Sequence, residues 1–470
     1  MVELINSFPD FSGSFGDKRI ERRAQAALQK LTRGRNSSLR QMTQSEAEQK
    51  SFYRLFNNEN FSEEGIEQSI VNRCSELCAD RHLLCIQDTT EFNLSKQRGR
   101  IKPQSGLGKT ANSEVLGFML HSSLVVDAQV GSALGYSYIK AWERKEAMPD
   151  RYERNYHQLL IEEKESYKWI AATNQSKVLL EQAARITIIA DREGDIYDLL
   201  AGVDGKKVNL LVRSNFDRQL TSGLKLSGYL NSLPVLAQHD ISVRGDARKN
   251  IIKRTANLEL KWGKVSIMKS ATCNDKNAPS YTEMFLLEAR EKGVDKGIYW
   301  RLLTTHGITC EQEALQIIEW YKQRWYIEQI HRLLKTEGFR IERSQLEQGW
   351  AICKLTLLAM MATLRILQMM LAYNDDHEQP IDEVFDKEEQ KCLLIINEQL
   401  QGATDKLKNS VKNGTLKWAT WIIARLGGWK GYLSQRKPGP IVLQKGLTKF
   451  YHMYEGWSMY KLFSKDVSTP

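Results

Sequence analysis

From about Cys74 to Gly338, short apolar runs of strand length alternate with stretches of helical period. That alternation restricts the middle of the chain to a sheet with helices packed on it, an α/β core. HLLCIQDTTEF supplies one apolar run, ending in Asp88. VLGFMLHSSLVVD (115–127) and SALGYSYIKAW (132–142) read as the next two strands, joined as a hairpin. ITIIADREGDIYDLL gives a strand ending in Asp191, a turn at Gly194 and a helix start, and VNLLVRS (208–214) is a further buried strand. Between about residues 215 and 297 the alternation becomes short and polar, as expected of a β-rich insertion. The core resumes at IYWRLLTT, after which Thr309 and Gln312 are placed to form a capping box for one long helix containing YKQRWYIEQIHRLLK (321–335).

The flanks differ from this core. Residues 1 to about 72 read as short helices, with Ser62 as an N-cap ahead of two Glu residues. Residues from about 345 onward read as helical, and no internal repeat or low-complexity segment is visible. The apolar run Ala351–Tyr373 has the length of a membrane span, but Lys354, Arg365 and Gln368 interrupt it, so a buried helix is expected. MVELINSFPD lacks the pattern of a signal peptide, and seven Cys without a CxxC pair point to a reduced, cytoplasmic protein without a structural zinc.

A net charge of +10 favours a polyanionic partner, and its distribution says more than its total. Lys18–Arg40 holds eight Lys/Arg against the single acid Glu21, and Lys406–Lys449 holds ten with no acid. Both ends are electropositive. The middle is not.

Three acids stand out by position. Asp88 and Asp191 each close an apolar strand, where side chains meet the sheet's edge. On a continuous helix of about 100° per residue, Tyr321, Arg324, Glu328 and Lys335 fall within roughly 60°, opposite Tyr326, Ile327, Ile330, Leu333 and Leu334. Carboxylate oxygens are hard ligands suited to magnesium or manganese, and two such ions can serve phosphodiester chemistry. Taken singly, each Asp is equally a turn former or helix cap, and Glu328 an ion-paired surface residue. SGLGKT (105–110) is not a P-loop, because Pro103 occupies the position of its first Gly, so no nucleotide cofactor is expected.

The spacing Y-x2-R-x3-E-x6-K, here Tyr321, Arg324, Glu328 and Lys335, resembles the signature of the bacterial cut-and-paste DDE transposases. The resemblance extends over nearly the whole chain, through IQDTT, DREGDIY, LVRS, YWRLLT and ARLGG. It implies a ribonuclease H-like catalytic core over 73–372 with a β-rich insertion at about 215–297. An N-terminal helical domain (1–72) would bind DNA ends, and a helical domain (373–470) would dimerise. It implies that Asp88, Asp191 and Glu328 hold two Mg2+ or Mn2+ ions, and that Tyr321, Arg324 and Lys335 contact a 5′ phosphate. Trp300 would stack on the distorted end or on a flipped base, and Arg213 belongs to the matched LVRS segment and to the DNA-contacting set. Arg19, Arg22, Arg23, Arg33 and Arg35 are expected to meet phosphates and a groove of the terminal inverted repeat.

The implied reaction is excision through a hairpin followed by joining to target DNA, catalysed in a synaptic homodimer on the bacterial nucleoid. Two other readings remain open: a nuclease or resolvase of the same core without strand joining, and a DNA-binding regulator derived from a transposase and no longer catalytic.

Overall fold

The computed structural model describes residues 8–33, 38–110, 115–144, 158–243, 253–294, 297–336, 338–374, 378–432 and 436–466. Four helices open the chain: α1 (Lys18–Thr32), α2 (Leu39–Met42), α3 (Glu46–Phe56) and α4 (Glu63–Ser75). Then come β1 (His82–Asn93), β2 (Gly108–Lys109), β3 (Leu116–Asp127), β4 (Ala133–Trp142), α5 (Tyr167–Leu179), β5 (Arg185–Ala190), α6 (Tyr197–Ala201) and β6 (Val208–Arg213). The inserted segment contributes α7 (Leu226–Ser232), β7 (Ala237–Val243), β8 (Arg254–Met268) and β9 (Tyr281–Glu291), before β10 (Tyr299–Thr304). The rest is helical: α8 (Glu311–Lys322), α9 (Trp325–Lys335), α10 (Gly349–Asn374), α11 (Lys387–Leu400), α12 (Leu416–Leu426) and α13 (Pro440–Asp466).

Two compact units emerge, and neither is continuous in sequence. One comprises Met1–Leu77, Thr89–Ala147 and Tyr326–Pro470; the other comprises Cys78–Asp88 and Met148–Trp325. The border therefore falls inside β1 and at the start of α9.

In the first unit, β3 pairs antiparallel with both β2 and β4, and the β3–β4 pair is the hairpin expected from sequence. Ser62 caps α4, accepting a 3.0 Å hydrogen bond from the Gly65 N–H. The apolar helix α10 is buried from Ala351 to Ala372, and α1, α4, α12 and α13 pack against it. Its three polar interruptions are all bonded. Lys354 Nζ donates to Asn58 O (2.9 Å), Arg365 Nη2 to Val384 O (2.6 Å) and Gln368 Nε2 to Ala133 O (2.9 Å). Polar groups so deep in a helix are tolerable because each finds a backbone carbonyl.

In the second unit the strands run β1–β5–β6–β10–β9–β8–β7. β1, β5 and β6 are mutually parallel, and the strands from β6 onward alternate in direction. β5 is buried on both faces after Arg185, which explains its unbroken apolar run ITIIA. β8 instead alternates buried and half-exposed positions, as a strand with one solvated face should. The insertion is thus β-rich, as the short polar alternation predicts.

At the end of this unit near the starts of β1 and β5, the Thr187 hydroxyl bridges His82 Nε2 (2.8 Å) and His306 Nε2 (2.9 Å), and Trp320 packs on both imidazoles. Burial first, then the charges of His82 and Arg185, push His306 down from its ordinary 6.5 to about 3. Between those two values the unfolded chain holds a proton that the folded chain lacks. Stability therefore falls as pH drops from about 6.5 toward 3, by up to about 1.4 kcal/mol per pH unit. Melting temperatures measured from pH 7 to pH 4 are expected to decline less steeply in His306→Asn than in the unsubstituted chain. Equal slopes would remove His306 as the source.

Candidate active site

Strand register sets the first part of the site. β1 and β5 are parallel with Cys85 opposite Ile188 and Ile86 opposite Ile189. Asp88 lies two residues further along β1, and Asp191 follows directly after the end of β5, two residues beyond Ile189, so the same register carried forward brings the two acids to the same end of neighbouring strands. Both are half-buried. Asp191 leaves β5 as the N-cap of a 3-10 turn, Arg192–Gly194, and its Oδ1 accepts from the Glu193 N–H at 2.8 Å. Gly194 is required in that turn, because a Cβ there would come 2.5 Å from the Ala190 Cβ. Asp88 differs from expectation in one respect: its strand does not end there. Residues 89–93 keep the period-2 alternation, with Thr90 and Phe92 buried, so β1 continues five residues past the acid.

Cations and aromatics of the same unit gather beside these acids. Arg324 Nη1 lies 3.5 Å from Asp88 Oδ2, with the two side chains 20% and 15% exposed. Tyr321 is buried, and burial pushes its phenol above the ordinary pKa. The positive charges of Arg324 and Arg213 pull it back, and Asp191 pushes it up, so all three act on this one hydroxyl. The Trp300 ring meets Tyr321 edge-on, with centroids 6.0 Å apart. Arg213 Nη2 donates to Tyr299 O at 2.9 Å, which ties it to the strand that carries Trp300. Six of the expected residues, Asp88, Asp191, Arg213, Trp300, Tyr321 and Arg324, thus belong to this unit.

Glu328 and Lys335 belong to the first unit. Glu328 is exposed on α9, and Lys335 Nζ sits 5.5 Å from the centroid of the Phe92 ring. Among the described residues, no three His, Cys, Asp or Glu side chains are grouped closely enough to hold a metal ion. The donor chemistry nonetheless fits a hard divalent cation, since Asp88 and Asp191 supply carboxylate oxygens at the same end of adjacent parallel strands.

The long helix expected across 310–335 is two helices. Gln323 N–H bonds to Trp320 O, and Arg324 N–H bonds to Tyr321 O at 3.1 Å. These i→i+3 bonds tighten the backbone and break the helix between α8 and α9. Tyr321 and Glu328 therefore lie on separate helices, α8 and α9, and not on the one continuous helix expected. On α9 itself Ile327, Ile330, Leu333 and Leu334 are buried as expected, but His331 joins them and Tyr326 is only half-buried. Nor does Thr309 form a capping box with Gln312. Glu313 Oε2 accepts from both the Thr309 N–H (2.6 Å) and its hydroxyl (2.8 Å), and Cys310 is the N-cap of α8.

On α1, Arg19, Arg22 and Arg23 are exposed, opposite buried Ile20, Ala24, Ala27, Leu28 and Leu31. Arg19 pairs with Asp17 at 3.1 Å, and Arg22 Nε donates to Lys18 O at 3.2 Å. Arg33 is half-buried, its guanidinium 5.6 Å from the Tyr451 ring centroid. Arg35 lies outside the described residues.

Sequence reading missed one pair. Asp195 is fully buried and accepts from the Asn215 N–H (2.7 Å), the Phe216 N–H (3.1 Å) and Arg218 Nε (2.7 Å). Arg218 Nη2 also donates to Asp195 O at 2.6 Å. This clamp binds the turn after Asp191 to the segment leaving β6, four residues from one candidate ligand and two from Arg213. The second Asp of DREGDIY was its only sequence signal.

A family profile described as "Transposase DDE domain" matches residues 168–364, and one described as "Transposase DNA-binding" matches residues 12–61. The two matches support a DDE-type transposase. The DDE match spans Asp191, Arg213, Trp300, Tyr321, Arg324, Glu328 and Lys335, whereas Asp88 precedes it; the DNA-binding match spans the five N-terminal arginines. Among solved structures, the chain is similar to a piggyBac transposase determined by cryo-EM as a synaptic complex with hairpin DNA. That likeness has a TM-score of 0.34 and 8% identity over 65% of this chain. The chain spans about half of that protein, 51%, and a likeness this distant carries no argument about the chemistry of this chain.

Proposed function

We propose that this transposase binds the terminal inverted repeats of its element, excises it by metal-dependent phosphodiester hydrolysis and hairpin formation, and joins the freed 3′ ends to target DNA. The observation that carries the reading is that Asp88 on β1 and Asp191 just past β5 come at the same end of two adjacent parallel strands, with Arg324 on Asp88 and Tyr321 within the field of Asp191. Asp88 and Asp191 would hold two Mg2+ or Mn2+ ions, with Glu328 as third ligand on the strength of its place in the signature. When bound, such ions activate the attacking oxygen and stabilise the leaving one. Arg324, Tyr321, Arg213 and Lys335 hold phosphate oxygens of the cut strand by charge-assisted hydrogen bonds. Trp300 presents an aromatic face to a base drawn out of the stack. The transposase works as a synaptic homodimer through residues 373–470, in the bacterial cytoplasm and on the nucleoid when bound to DNA.

Incubating the protein with a duplex carrying the element's ends, with and without Mg2+, tests this. Hairpin products and joined ends are expected only with metal. Tight end binding without metal-dependent cutting would sink the catalytic reading and leave a regulator.

The exposed face of α1 makes a separate prediction. Arg23→Ala is expected to weaken end binding and to lower the slope of log K against log salt by about 1 for each phosphate that the side chain no longer neutralises. Titrations at several salt concentrations read this directly; an unchanged slope and affinity would take Arg23 out of the interface.

A further inference from the structure

A cavity of about 720 Å3 opens in the unit that carries Asp88 and Asp191, bordered by the turn after Asp191, the segment leaving β6 and the end of β8. Its size lies within the roughly 300–1,000 Å3 of ordinary ligand sites. Two apolar side chains on it are unusually open to solvent: Phe216 is 54% exposed and Met268 45%. The Arg218 guanidinium lies 5.4 Å from the Phe216 ring centroid. Arg192, directly after Asp191, and Lys269, directly after Met268, add positive charge to the rim, and Lys164 adds more from the wall.

The acids on the same cavity are already engaged. Asp195 is taken by the Arg218 clamp, Asp198 accepts from the Cys273 thiol at 3.3 Å, and Glu193 lies 3.6 Å from Lys168 Nζ. The cavity thus carries the Phe216 ring together with Arg192, Arg218 and Lys269, whose Nζ donates to Asp275 O at 2.6 Å. Proteins that hold single-stranded nucleic acid combine these same two elements, a ring on which a base stacks and cations that follow the phosphates.

We propose that this cavity takes one unpaired nucleotide of a DNA strand, its base on Phe216 and its phosphate at Arg192 and Lys269. The proposal rests on the transposase reading above and adds a strand-holding site distinct from Trp300.

The test uses the full chain, with a labelled oligothymidylate of about ten nucleotides, dTMP and a fully paired end duplex as probes. Phe216→Ala is expected to weaken oligothymidylate binding about ten-fold or more, and Phe216→Trp to restore it. Binding of the paired duplex stays unchanged in both. Lys269→Glu, which leaves the ring in place, weakens the oligomer as well and decides the matter if Phe216→Ala melts early. Unchanged oligomer affinity in both variants would overturn the proposal, as would an equal loss on paired duplex. Binding of dTMP as tight as that of the oligomer would make this a free-nucleotide site and also overturn it. Metal-dependent cutting of the end duplex by the unsubstituted chain is read separately, so failure of the transposase reading is not mistaken for failure of this site.

Discussion

Asp191→Asn is expected to lower metal-dependent strand cleavage by roughly a thousand-fold while leaving DNA-end affinity within about two-fold. The substitution keeps the shape of the side chain and an oxygen that can accept from the Glu193 N–H, now at 2.8 Å, so the 3-10 turn after β5 should persist. What it removes is a negative charge at the same end of the paired strands as Asp88. Charge stabilisation by a divalent ion is worth several kcal/mol, and losing about 4 kcal/mol of it corresponds to that thousand-fold. In the proposed function, end affinity comes mainly from phosphates held by the basic surfaces, which the change does not touch. Single-turnover cleavage of an end duplex, with binding measured in parallel, separates the two effects. Normal cutting by Asp191→Asn would sink the site assignment. Loss of binding in step with cleavage would point instead to a fold defect, which near-native melting would rule out.

Asp195→Ala is expected to cost about 3–5 kcal/mol of stability, because it leaves the Arg218 guanidinium buried without its counter-charge. The side chains of this pair are 0% and 8% exposed. Two backbone N–H groups, those of Asn215 and Phe216, lose their acceptor in the same stroke. Urea unfolding should show the midpoint moving down accordingly. Asp195→Ala combined with Arg218→Met removes both charges and should recover much of the stability, since neither is then left buried alone. A cost below about 1 kcal/mol for the single change would mean that water reaches Arg218 and that the clamp holds nothing. Because the clamp fixes the turn behind Asp191, cleavage by the single variant should fall even where the chain remains folded.

Much of the fold was legible because it rests on local pattern. The runs ITIIA and VNLLV are strands in the structure, the 115–142 hairpin forms, and Ser62 caps α4. The helix from Gly349 to Asn374 is buried despite its lysine and arginine, whose carbonyl partners no sequence pattern displays. The break at Gln323–Arg324 was not legible. No Gly or Pro marks it, and Lys322, Gln323 and Arg324 are all good helix formers, so only the i→i+3 bonding of the folded chain reveals it. The Thr309 cap failed for a related reason: Glu313 and Gln312 both lie within reach, and the folded backbone chose the carboxylate. Asp195 stayed hidden because a buried acid and a turn-forming acid look alike in sequence; its partner Arg218 is 23 residues away.

By itself the sequence determined which segments become strands and helices, where the charge lies, and which acids and cations stand at a spacing that resembles a transposase signature. Hydrophobic period and residue chemistry act over a few residues, and they are written in the chain. Tertiary structure alone decided that β1 and β5 pair so that Asp88 and Asp191 come at the same end of adjacent strands, that Arg324 sits on Asp88 beside Tyr321, and that Arg218 neutralises Asp195. Strand register and buried charge pairing join residues far apart along the chain, and only the packed sheet brings those residues together.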